Sequence, residues 1–165
     1  MAEQNTVEIP LLLENVLRYC LKDARERMEK GEEIAPFSAL AVGETLFMEE
    51  HDGETADECF ESARRTVSRA SGARAYGFCY DGYVELQTGN SDALIAQGGM
   101  PGEPYGHAIG LLYTRDKDGV LKFRAEPIYV GPAMNYMLSL TISDDSESSE
   151  AEQSDETAET GEQAE

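Results

Sequence analysis

Two histidines, His51 and His107, and three cysteines, Cys20, Cys59 and Cys79, are the side chains of this sequence best suited to proton transfer, nucleophilic attack or soft-metal ligation. A nucleophile needs a base within reach, and Cys79 with His107 is the pair to name. The segment Gly77-Phe78-Cys79-Tyr80, however, reads as an apolar strand in which a thiol packs as a small hydrophobe. Cys20 and Cys59 fall on apolar helix faces, and the same reading covers them. A metal site would draw on His51, Asp52, Cys59 and His107, but the chain has no CxxC, no HxxxH and no EF-hand spacing. No catalytic residue, metal or cofactor is assigned, and the sequence names no reaction. The carboxylates Glu49, Glu50, Asp52, Glu54, Asp57 and Glu58 decorate a turn and a helix N-terminus, where negative charge is favoured.

Binding chemistry has two candidate locations. Residues 97 to 106 read Gln-Gly-Gly-Met-Pro-Gly-Glu-Pro-Tyr-Gly, a composition that predicts an irregular surface loop. It holds neither a GxxxxGK[ST] phosphate loop nor a GxGxxG fingerprint opening a helix, so P-loop and Rossmann readings fail. The other location is Arg64, Arg65, Arg69 and Arg74, the one basic cluster of an acidic chain. Arg65 and Arg69 share a helical face and suit a small anionic ligand or the chain's own acidic end. The ligand-binding candidates are Tyr105, His107, Arg65 and Arg69.

These side chains must be positioned by regular elements. Apolar residues at helical spacing from Leu13 to Met28, after Pro10 and before Gly31, predict a helix over 10–30. Residues 37–42 and 45–50 flank Gly43-Glu44 as a hairpin. Thr55 to Glu58 has the form of a capping box, and Ala56, Cys59, Phe60, Ala63, Val67 and Ala70 form one stripe of a second helix ending near Gly72. Beyond it, strands are expected at 75–80, 83–87, 93–97, 108–115 and 120–129, with Gly131-Pro132 ending the last and a short helix or strand over 133–140. Asp81-Gly82 is read as a corner, with a bulge inside one long strand as its rival. Short connections imply antiparallel neighbours.

The expected fold class is therefore α+β: a two-layer domain, with two amphipathic helices on a mostly antiparallel sheet, spanning residues 1–140. Alternation puts Tyr76, Phe78 and Tyr80 on one sheet face, opposite Ala75, Gly77 and Cys79. The small face suits close approach of a helix; the tyrosine face suits a half-exposed surface or a partner, with rings that simply form core under the helices as the rival reading. Residues 141–165 are expected to form a disordered acidic tail, since 144 to 165 carry ten carboxylates and no Lys or Arg. The net charge of −20 disfavours nucleic acid and anionic membrane. An odd number of scattered cysteines and the lack of a basic, apolar leader point to the cytoplasm. The function expected is protein binding, with a homodimer as its main form. The alternative is a small-molecule binder or enzyme using the loop from Gln97 to His107.

Overall fold

Pro10, with φ −52°, leads into helix α1 (Leu11–Glu29), which needs no side-chain cap. The helix buries Leu13, Val16, Leu17, Cys20, Leu21, Ala24 and Met28, and Gly31 follows it in the left-handed region at φ +89°. These elements come from a computed structural model that describes residues 8–140; the acidic tail expected over 141–165 lies outside the described residues. The hairpin of β1 (Phe37–Val42) and β2 (Thr45–Glu50) turns at Gly43, with Val42 opposite Thr45. Helix α2 (Ala56–Ser68) is capped by Thr55, whose Oγ1 accepts from the Glu58 N–H at 3.1 Å. Glu58 reaches back to the Glu54 N–H at 2.8 Å, one residue earlier than a capping box requires.

The remaining strands are β3 (Ala75–Leu86), β4 (Gly89–Gly99), β5 (Gly106–Arg115), β6 (Leu121–Phe123) and β7 (Ile128–Ala133). All pairings are antiparallel, in the order β2-β1-β3-β4-β5, and both β6 and β7 lie against the outer side of β5. The described residues thus form an α+β sheet domain with two helices.

Three expectations give way to longer or divided strands. Asp81-Gly82 is no corner: β3 runs through it in unbroken register with β4, from Tyr76 opposite Gly99 to Leu86 opposite Gly89. The reversal falls instead at Gln87-Thr88. Strand β4 extends through Gly98 and Gly99, which leaves only residues 100–105 as loop. The segment expected as one strand over 120–129 is split, because Pro127 lacks a donor for the ladder and β7 begins after it. Gly131-Pro132 lies inside β7, on an edge where a missing N–H faces no neighbour, beside a bulge at Ala108/Ile109. Residues 134–140 form turns, with neither a helix nor a strand.

The helices do not share a face. Ala75 and Cys79 pack with the buried side of α1, and a Cβ on Gly77 would meet Val16, Leu17 and Cys20. Tyr76 and Phe78 cluster with Ala63 and Val67 of α2 and with Met137. Alternation places these two sets on opposite sides of β3, so the sheet lies between the helices and the expected two layers become three. The reason is that both faces of β3 are apolar. Of the two readings of the tyrosine face, core under a helix is the one observed, not a surface for a partner: α2 closes it, Tyr76 and Phe78 are fully buried, and Tyr136 stacks on Tyr76 with centroids 5.5 Å apart.

Candidate functional site

His107 lies near the start of β5 on the α1 side, directly opposite Gly98 of β4. The residue is 8% exposed, and its ring stands between two phenols, with centroids 5.5 Å from Tyr105 and 5.8 Å from Tyr129. Nδ1 is 2.9 Å from the Tyr129 hydroxyl, which fixes the ring's orientation, and among the described residues Nε2 has no partner. Burial lowers the imidazole's pKa below its usual value, with Glu103 opposing more weakly, so the ring is neutral at pH 7. Burial also raises the Tyr129 hydroxyl, which keeps its proton.

The ring opens on a cleft of about 430 Å³ lined by Glu8, Pro10, Leu13, Met100, Glu103, Pro104, Tyr105 and His107. One wall is the loop 100–105, anchored chiefly by Asn135. Asn135, 5% exposed, donates from Nδ2 to the carbonyls of Met100 and Glu103, each at 2.8 Å, while its Oδ1 accepts from the Met137 N–H at 2.9 Å. The Gly102 N–H adds a bond to the Met137 carbonyl at 3.0 Å. Around this anchor the backbones approach so closely that a Cβ on Gly99 would overlap Asn135, and one on Gly106 would overlap the Gly98 carbonyl. The glycines of this region therefore serve close packing. Nothing in the local sequence distinguishes Asn135 or Tyr129 as site residues, because both act through contacts distant in the chain.

The four residues singled out from sequence do not converge. Tyr105 and His107 share the cleft, whereas Arg65 and Arg69 lie on and just beyond α2, which packs on the opposite face. Among the described residues no lysine or arginine lines the cleft. On α2, Arg64 bonds to Glu61 and Arg65 approaches the same carboxylate at 4.0 Å. His51 and His107 are likewise separate. His51 is 1% exposed and joins two elements, with Nε2 at 2.7 Å from Ser38 Oγ on β1 and Nδ1 at 3.1 Å from Ser62 Oγ on α2. A serine beside an imidazole is the start of a nucleophilic pair, but Ser38 is itself 1% exposed, so no substrate reaches it. Cys79 donates its thiol to the Cys20 carbonyl beneath α1, and burial pushes its pKa well above the usual thiol range. Among the described residues no cluster of three or more His, Cys, Asp or Glu is placed to hold a metal ion.

A second feature lies at the edge of the sheet. Among the described residues β2 has β1 on one side only, and Phe47 and Met48 are 55% and 39% exposed. It is six residues long, with no proline and no break in its register with β1. The opposite edge is protected differently: it is divided between β6 and β7 and carries the bulge and Pro132.

The described residues define an α+β domain with a cleft at His107 and an exposed sheet edge at β2. No known family, no curated protein and no solved structure matches the chain.

Proposed function

We propose that this protein is a protein-binding domain that acts as a homodimer, formed by antiparallel pairing of β2 with β2 of a second copy. The observation that carries the reading is the regular open edge of β2, on which Phe47 and Met48 are exposed. A regular open strand presents unpaired N–H and C=O groups to any complementary strand.

The backbone phase agrees with self-pairing. The His51 N–H donates to the Pro36 carbonyl, so in the same ladder Thr45, Phe47 and Glu49 turn their polar groups toward β1. Leu46 and Met48 then turn theirs outward. A two-fold axis perpendicular to the sheet keeps each side chain on its own face, which requires paired residues of equal parity. Centring the pair on Phe47 sets Phe47 beside Phe47 of the partner subunit and lets Leu46 exchange both hydrogen bonds with Met48 of the partner subunit. Thr45 then faces Glu49 of the partner subunit. A shift by two residues would oppose Phe47 to Glu49 in one direction and to Thr45 in the other, and neither pairs two aromatic rings, so side-chain pairing favours the first register.

Sedimentation equilibrium of the full chain at high micromolar concentration tests the proposal. The expected result is a dimer that Phe47→Glu converts to a monomer, with Leu46 and Met48 amides protected from hydrogen exchange only in the dimer. A wild-type monomer at that concentration, or a dimer that survives Phe47→Glu with both amides exchanging freely, overturns it. Three free, buried cysteines support a reducing compartment such as the cytoplasm, and the net charge of −20 argues against nucleic-acid partners.

A further inference from the structure

The cleft at His107 has the attributes of a built site, independent of the β2 edge. Its central polar group is nine-tenths buried, oriented by Tyr129 through one nitrogen and unpartnered among the described residues at the other. A buried imidazole nitrogen without a protein partner is costly unless water or a ligand meets it. The wall carrying Glu103, Pro104 and Tyr105 is not loose, because Asn135 ties the backbone on both sides of its turn. Preorganisation of this kind lowers the ordering cost of binding.

The lining decides the ligand's charge. Among the described lining residues Glu8 and Glu103 are the carboxylates, no lysine or arginine stands beside them, and burial favours the neutral imidazole. An anion would meet two carboxylates with no compensating charge. A cation would gain both, together with Tyr105, whose aromatic ring can attract an ammonium group. Leu13, Met100, Pro10 and Pro104 supply the apolar remainder, and about 430 Å³ falls in the range of small-ligand sites. We infer that the cleft between the start of α1 and the loop 100–105 binds a small organic amine, with its ammonium at Glu8 and Glu103 and its apolar body against Leu13, Met100 and Tyr105. His107 Nε2 then recognises a polar group on that body. This extends the molecule's role beyond self-association and does not depend on it.

Three probes of one shape isolate charge: 2-phenylethylamine, 2-phenylethanol and phenylacetate, each titrated into the full chain at pH 7 and followed by NMR of the imidazole signals. The amine is expected to shift His107 saturably with a dissociation constant of about 0.1 to 1 mM. The alcohol is expected to bind about tenfold more weakly, and the acid not to saturate by about 10 mM. Glu103→Gln should weaken the amine about fivefold, and Glu8→Gln with it further. The Glu103 side chain makes no hydrogen bond among the described residues, so this variant leaves the Asn135 anchor intact. Phenylacetate binding as tightly as the amine overturns the inference. So does amine binding that leaves His107 unmoved or that the double variant leaves unchanged, or failure of all three probes to saturate.

Discussion

Both imidazoles are buried, and their position in the fold makes them report on pH in the same sense. Burial lowers the pKa of His51 and of His107 from the usual 6.5, and the neighbouring carboxylates oppose it only in part. Above pH 6.5 both rings are neutral folded or unfolded, and their contribution to stability is complete. As pH falls through 6.5 the unfolded chain takes up protons first, stability declines, and the decline from this source stops below the folded midpoints. Titration of the two Cε1–H signals by NMR should give midpoints below 6.5 for each ring. A midpoint at or above 6.5 for either would contradict the burial described for it. His107 and Tyr105 were legible as candidates because a histidine closing a glycine-rich loop is a local signal. Tyr129, Ser38, Ser62 and Asn135 were not, since each acts on a group more than ten residues away in the chain.

At the scale of elements, the chain is most exacting where strands touch through glycine. A Cβ on Gly98 would overlap the Tyr76 carbonyl oxygen across the β3–β4 ladder, a clash of backbone with backbone that no rotamer change relieves. Gly98→Ala should therefore cost about 3 kcal/mol or prevent folding. Removing the helix cap is milder, and Thr55→Ala should cost about 1 kcal/mol. Urea denaturation of both variants checks the order; a Gly98→Ala protein within about 1 kcal/mol of the parent would mean that the two strands can separate there without penalty. The same contrast explains which elements the sequence revealed. The β1–β2 hairpin and the Thr55 cap arise within a few residues and appear at the expected positions. The strands after Gly72 depended on partners: Asp81-Gly82 can be a turn or mid-strand, and pairing along the whole of β4 makes it mid-strand.

For the whole molecule, charge opposes the proposed dimer. Two copies each carrying −20 repel one another, and β2 itself ends in Glu49 and Glu50. Its stabilising contacts are apolar and backbone contacts, which salt does not weaken, while the repulsion is screened. The dimer should accordingly tighten by about threefold or more when salt is raised from about 0.02 M to about 0.5 M. A dimer weakened by salt, measured by sedimentation, would point to ion pairs across the contact and away from the β2 edge.

Sequence alone determined the α+β class, the two helices, the first hairpin and the antiparallel sense of the sheet, because caps, glycine punctuation and hydrophobic period act over a few residues. Only the tertiary structure decided that α1 and α2 cover opposite faces, that Arg65 and Arg69 stand apart from His107, and that Asn135 shapes the cleft. Those outcomes follow from which of two apolar strand faces each helix occupies. Local pattern describes both faces equally well, and long-range packing chooses between them.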